Sequence, residues 1–302
     1  MGCVYKAEDL RLPGRLCAIK EVQPEIGISA EDRAQLHTQF LTEASVLAQL
    51  DHPNLPKVSD FFTDDEREYL VMDYVAGQDL KAIVDDAVRD GELLETRIVM
   101  EWAAQILNTL DYLHHQQPPV VHRDIKPANI KLTPEGRIKL VDFGLVKLMG
   151  DDEQRTLTVM QGRGSALYTP LEQYGGDGGE TDARSDLYSF GATLYQLLTS
   201  KAPPDAKARF LNPRMMPPPY ELNPDMRRAV SDAVMWALEM HPDDRPNSVD
   251  ELRQVLFGRE KRPKKEATLQ STPPFLNAVL DNQAMLLLTL LLLVLAFFIT
   301  IL

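Results

Sequence analysis

The chain has 302 residues, and its 32 Lys and Arg against 45 Asp and Glu give a net charge of −13, so it lacks the concentrated basic face that binding a phosphate backbone requires and no nucleic-acid partner is expected. At 44% hydrophobic and 25% charged, the composition is that of globular protein with a substantial core, far from the disordered regime. Two cysteines, Cys3 and Cys17, exclude a disulfide scaffold and a four-thiolate zinc site, and fit a reducing compartment.

The first 75 residues read as strands around one helix. Val4 to Ala7 and Leu16 to Lys20 pair around a Pro13-Gly14 turn, and Tyr69 to Tyr74 is a further strand. Between them Ser29, with Asp32 three residues on, opens a helix that carries Leu36, Phe40, Leu47 and Leu50 at helical spacing. From Leu80 the pattern turns helical. Trp102, Ile106, Leu110 and Leu113 form one apolar stripe after Thr96, and Leu187, Phe190, Leu194 and Leu197 form a second. A hairpin, Ile130 to Leu132 and Ile138 to Val141 around Thr133-Pro134-Glu135-Gly136, interrupts the helices. Gly175 to Asp182 and the proline-rich Pro203 to Pro224 are expected to be surface connections, and residues 258–283 a linker.

The C-terminal end differs sharply from the rest. Ala284 to Leu302 holds nineteen residues without a charge, which as a helix would span about 28 Å, the hydrocarbon thickness of a bilayer. Arg259, Lys261, Arg262, Lys264 and Lys265 lie just N-terminal to it, while residues 1–257 hold 27 basic against 42 acidic groups, or −15. By the positive-inside tendency, the expectation is a single-pass membrane protein with its large domain in the cytoplasm.

The chemistry is concentrated in Val121-His122-Arg123-Asp124-Ile125-Lys126-Pro127-Ala128-Asn129, followed after the hairpin by Asp142-Phe143-Gly144. Phosphoryl transfer from a magnesium nucleotide needs hard oxygen ligands, cations for the developing charge and a carboxylate to orient the attacking hydroxyl. Asp124, Lys126, Asn129 and Asp142 supply all three, and one hairpin can fold them around one site. These residues resemble the eukaryotic-type protein kinase superfamily, whose catalytic and metal loops read H-R-D-x-x-x-x-N and D-F-G.

Further matches follow in the family's order. Cys17-Ala18-Ile19-Lys20 resembles V-A-I-K, Met72-Asp73-Tyr74-Val75 the hinge between lobes, and Tyr168-Thr169-Pro170-Leu171-Glu172 a variant of A-P-E. The resemblance covers residues 1–257 and implies an α+β, two-lobed kinase fold: a β-rich small lobe with one helix (1–75) and a helical large lobe (76–257), followed by the linker (258–283) and a transmembrane helix (284–302). It implies that Lys20 clamps the α- and β-phosphates of ATP with Glu43 as its ion-pair partner. Gly2, Val4 and Ala18 would surround the nucleotide, Met72, Asp73 and Val75 would hold adenine, and Asp79 would reach the ribose. Asp124 would accept or orient the substrate hydroxyl proton, Lys126 would sit beside the transferred group, and Asn129 and Asp142 would ligate Mg²⁺. The Asp-Ile-Lys-Pro-Ala-Asn run and VYKAEDL, HRDIKPANI and PLEQYG resemble the bacterial serine/threonine branch, implying protein substrates with Ser or Thr and trans-autophosphorylation within a homodimer.

Arg123 beside Asp124 suggests control by phosphorylation between Asp142 and Glu172, foremost at Thr156 and Thr158 and secondarily at Ser165 and Thr169. His122, Phe143 and Leu47 are expected to pack in an apolar column, and Asp186, Glu172 and Arg245 to be architectural. Cys3 and Cys17 are expected near the nucleotide.

Two departures stand out. Only Gly2-Cys3-Val4 matches the family's G-x-G-x-x-G-x-V loop, so either the start lies upstream of Met1 or the chain binds ATP poorly and acts as a pseudokinase scaffold. Lys131 occupies a position where kinases usually place an apolar residue under adenine; its stem could pack there with the ammonium reaching solvent.

Overall fold

Strand alternation builds the small lobe. Strand β1 (Val4–Glu8) turns back into β2 (Leu16–Val22), with Val4 opposite Lys20 and Glu8 opposite Leu16. The expected turn glycine, Gly14, has φ +85°, a conformation that costs a residue without Cβ nothing. Helix α1 (Ala30–Gln49) follows, then β3 (Val58–Asp64) and β4 (Arg67–Asp73). The antiparallel sheet has the order β1-β2-β4-β3. Phe40, Ala44 and Leu47 of α1 are buried in one core with Val58, Leu70 and Met72 of the sheet, so the helical period and the strand period meet on one interface. The computed structural model describes residues 3–22, 29–64, 67–142, 165–174 and 181–258.

The chain leaves β4 through residues 74–77 into a short strand β5 (Gln78–Asp79) and helix α2 (Leu80–Asp90). Gly77 has φ +112°, and a Cβ there would lie 2.0 Å from the Leu132 carbonyl oxygen. Only glycine lets this segment rest so close to the strand that follows. Helix α3 (Thr96–His114) buries Trp102, Ile106, Leu110 and Leu113 as its stripe predicts, each such residue stabilising the fold by about 1.5–3 kcal/mol. The hairpin β6 (Ile130–Leu132) and β7 (Ile138–Leu140) then forms with β5 a three-stranded sheet of order β5-β6-β7.

Helix α4 (Ala183–Thr199) is buried along nearly its whole length. Its polar residues are paired: Ser189 donates to the Tyr168 carbonyl at 2.8 Å and Thr193 to that of Ile125 at 3.4 Å. Gly191 lets α7 (Arg228–Ala237) approach, since a Cβ would come 2.9 Å from that of Ala237. Helix α8 (Val249–Phe257), capped by Ser248, packs against α7 and α3.

The expectation that Pro203 to Pro224 is a surface connection is corrected. Asp205 caps helix α5 (Ala206–Leu211), accepting from the Ala208 N–H at 2.9 Å, and Pro219–Leu222 form a one-turn helix α6. Arg209 is buried and donates to the Leu238 carbonyl at 2.9 Å, and buried Asn223 donates to that of Leu198 at 2.8 Å. Pro219 opens α6 where a missing N–H costs nothing, so proline marks a helix start here and not a solvated loop.

Among the described residues no helix is long and apolar enough to cross a membrane. The linker from 259 and the apolar run 284–302 lie outside them, as do Gly2, Phe143, Gly144, Thr156 and Thr158.

Candidate active site

The centre of the site is a loop held from beneath. Asp186, fully buried in the first turn of α4, accepts from the backbone N–H of His122 and of Arg123, both at 2.8 Å, and lies 2.9 Å from His114 Nε2. Burial alone would raise its pKa; the His114 hydrogen bond, the charges of His114 and His122 and the His122 N–H outweigh that and hold the carboxyl below its ordinary range. Burial drives the His122 imidazole the opposite way, below its usual value, and nearby carboxylates oppose that only in part. Arg123 takes φ +66°, a strained conformation for a residue with a Cβ that the two bonds to Asp186 hold in place.

This turn sets Asp124 in its position. Lys126 Nζ donates to both carboxylate oxygens, at 2.9 Å to Oδ1 and 2.7 Å to Oδ2, and the Asn129 amide nitrogen donates at 2.8 Å to Oδ2 and to the Asp124 carbonyl. Lys126 also reaches Ser165 Oγ at 2.6 Å. The Val141 N–H donates to the Asn129 carbonyl at 2.8 Å, so the two feet of the β6–β7 hairpin bring Asp142 beside Asn129. Asp142 itself has φ +62°, and its carboxylate pairs with the Lys20 ammonium.

Lys20 reaches across from the small lobe. Period-2 alternation puts Ala18, Lys20 and Val22 on one face of β2, with Ala18 opposite Met72 and Lys20 opposite Leu70. Lys20, Val22 and Met72 line a cavity of about 20 Å³ with Phe40, Glu43 and Leu47, so Glu43 shares a cavity with Lys20, as the helical register of α1 requires. Met72 is buried, Asp73 is exposed, and Tyr74 and Val75 continue beyond the sheet. Asp79 uses Oδ1 to cap α2, accepting from the Ala82 N–H at 2.9 Å. Val4 lies on β1 opposite Lys20 and is exposed.

The same alternation corrects one expectation. Cys17 points to the face of β2 opposite Lys20, where it lines an outer groove with Ile19, Phe62 and Val71, so it is not at the cleft. The architectural residues behave differently: Glu172 and Arg245 form a two-pronged buried ion pair at 2.6 and 3.1 Å. Burial would raise the Glu172 pKa, and the Arg245 bond and charge overcome this and lower it. Among the described residues the buried Arg123 Nε has no hydrogen-bond partner, and burial pulls the guanidinium below its ordinary range against the charges of Asp186 and Glu43.

Sequence reasoning missed the contributions of His114 and Asn54, and it named Ser165 without its contact to Lys126. His114 carries no spacing signal, because its partner lies 72 positions away. The contact of Ser165 with Lys126 spans 39 positions, and its only local trace is a Ser at the mouth of the expected segment. Asn54 donates to the Ile138 carbonyl at 2.6 Å and to Gln105 Oε1 at 3.1 Å, while its own carbonyl accepts from the Leu140 N–H at 2.8 Å; it ties the segment after α1 to the hairpin.

Comparison with known proteins bears on this geometry. The family described as Protein kinase domain matches residues 1–257. Probable serine/threonine-protein kinases of Streptomyces coelicolor and Clostridium acetobutylicum are 35% and 33% identical to the chain over 263 and 259 residues, each match covering 84% of the chain and 37% of the relative. The chain thus spans a little over a third of the length of these relatives. Among solved structures, the apo form of PpkA-294 aligns with a TM-score of 0.66 and 26% identity, covering 84% of this chain and 91% of the other. The kinase domain of Mycobacterium tuberculosis PknI aligns with a TM-score of 0.62 and 29% identity, covering 85% and 90%.

Asp186→Asn keeps the shape but turns an amide toward donors, and it should cost about 3–5 kcal/mol at neutral pH, as breaking a buried charged network does. Because the folded-state pKa of Asp186 is lowered, its stabilisation is fully present above the unfolded carboxyl value and is lost as pH falls through the folded one. Urea unfolding followed by tryptophan fluorescence between about pH 5 and 2 should therefore give a shallower acid limb in the variant. An acid limb as steep as that of the wild type would remove Asp186 as the titrating anchor.

Proposed function

The chain belongs to the protein kinase family, and from that premise we propose that it is a serine/threonine protein kinase, transferring the γ-phosphoryl group of ATP to hydroxyls of proteins. The observation that carries this reading is the Asp124 carboxylate, held by Lys126 and Asn129 beside Asp142 and Lys20. Asp124 Oδ2 already accepts two bonds and Oδ1 one, which leaves Oδ1 as the better acceptor for an incoming hydroxyl. As the hydroxyl oxygen bonds to the γ-phosphorus and the bond to the β,γ-bridging oxygen breaks, the hydroxyl proton passes to Asp124 and ADP leaves. Lys126, between Asp124 and Ser165, supplies a cation to the phosphoryl oxygens.

The donor set fits Mg²⁺. Asn129 commits its amide nitrogen to Asp124 and keeps its oxygen as a hard ligand, and Asp142 already accepts a cation. No cluster of three or more His, Cys, Asp or Glu forms a cage among the described residues, which suits an ion held by one or two side chains together with substrate phosphates. When bound, Mg²⁺ would neutralise charge on those phosphates. Lys20, with Glu43 in its cavity, would hold the α- and β-phosphates, Gly2 and Val4 would lie over the nucleotide, and Ala18, Met72, Asp73 and Val75 would enclose adenine. Asp79 would meet the ribose with the oxygen not used in capping.

Regulation and location complete the reading. An Arg123 Nε without a hydrogen-bond partner among the described residues favours an anionic partner, and a phosphate on Thr156 or Thr158, added between two copies of the chain, would supply it. The uncharged run 284–302 behind a basic cluster favours a single membrane span with the kinase domain cytoplasmic.

Asp124→Asn should lower γ-phosphate transfer to a generic protein substrate by about a thousandfold or more while ATP binding persists; equal transfer by both proteins would overturn the kinase reading. The double substitution Thr156→Ala with Thr158→Ala should slow autophosphorylation and abolish its dependence on enzyme concentration. Unchanged kinetics would eliminate the proposed switch. In cell fractionation, the chain should stay with membranes through carbonate washing, whereas a variant ending at residue 283 should be released; retention of the shortened chain would rule out the proposed span.

A further inference from the structure

The floor of the cleft carries two lysines side by side. Register places Asp79 opposite Lys131 and Lys131 opposite Lys139, so the three side chains share one face of the β5-β6-β7 sheet. Ile130, Ile138 and Leu140 are fully buried in the core. The lysine face looks toward the small lobe, for Lys139 Nζ donates to the Leu55 carbonyl at 3.0 Å. Lys131 Nζ donates to the Gly77 carbonyl at 2.9 Å, on the segment that joins the lobes. Among the described residues neither ammonium has a carboxylate within ion-pair distance; each is tied to a neutral carbonyl.

We propose that Lys131 limits how tightly the cleft holds a purine base, an inference that rests on reading the cleft as a nucleotide site. The roof above is the Ala18 face of β2, whose neighbour Lys20 spans the cleft to Asp142. A flat base entering from residues 72–75 must lie between Ala18 and the lysine face, and so over the Lys131 stem. Covering that stem strips water from an ammonium whose compensation is one carbonyl, and a neutral acceptor replaces only part of the hydration of a charge. Lys139 lies one strand further on and is anchored to Leu55, so it bears on lobe attachment and not on the base.

The test is calorimetric titration of the full chain in detergent with adenosine, which is uncharged, and with Mg-ATP. Lys131→Met keeps the length of the side chain and removes the charge, and it should tighten adenosine and ATP by the same factor, about three- to tenfold. Lys131→Leu should do likewise, and Lys139→Met should leave adenosine affinity unchanged. Adenosine affinity that is unchanged or weaker in both Lys131 variants overturns the proposal, as does equal tightening in Lys139→Met, which would report a general charge effect. ATP weakening with adenosine unchanged would place Lys131 at the phosphates and also overturn it. A wild-type chain that binds neither probe fails at the kinase reading itself, a result distinct from all of these.

Discussion

A single buried carboxylate underlies the site. Asp186 has no exposure, and three donors converge on it: the His122 and Arg123 backbone N–H groups and the His114 ring. Its place in the first turn of α4 adds the favourable end of the helix dipole. What the carboxylate gains from two backbone N–H groups, it returns as conformation: Arg123 is held at φ +66°, which would cost about 1–2 kcal/mol unassisted. That one turn aims Asp124 upward from the large lobe. The strain and the buried charge are therefore one device, and neither makes sense without the other.

The hairpin is the second device, and it works by proximity. Asn129 stands at the foot of β6 and Asp142 just beyond the foot of β7, and the Val141 to Asn129 hydrogen bond closes the pair. Three ladder pairs join the two short strands, and Asn54 ties β7 to the segment after α1 through the Ile138 carbonyl and the Leu140 N–H. Groups 13 positions apart in sequence are thus fixed with the rigidity of adjacent ones. This is the preorganisation that phosphoryl transfer needs, since most of its catalysis is positioning and electrostatics.

Periodic features of the sequence carried most of the fold. The strands around Pro13-Gly14, the helical stripes at Trp102 and Leu187 and the Thr133 to Gly136 hairpin are local patterns, and each forms where it reads. The site's loop was legible because its residues lie within nine positions. Long-range contacts were not: His114 with Asp186 and Asn54 with Ile138 lie 72 and 84 positions apart, and nothing in a single sequence couples them. Two misreadings have simple physical causes. Pro203 to Pro224 resembled a solvated connection because proline reads the same at a helix start as in a loop. Cys17 was placed at the cleft by its nearness to Lys20, although an odd spacing on a strand puts two side chains on opposite faces.

The Lys20–Asp142 pair ties these observations to activity. It joins the lobes across the cleft with one cation and one anion, each of which is also a group the proposed reaction requires. Each charge therefore has a partner of opposite sign in the free protein. In the proposed reaction, Asp142 would exchange this cation for Mg²⁺ and Lys20 this anion for the nucleotide phosphates. The number of compensated charges would be conserved through that exchange, which would keep its electrostatic cost low. Lys131 is the exception in the same cleft: among the described residues its ammonium has a carbonyl but no anion within ion-pair distance, and a base placed over it would add none. This contrast is the physical basis for proposing that a cation is tolerable at one end of the cleft and limiting at the other.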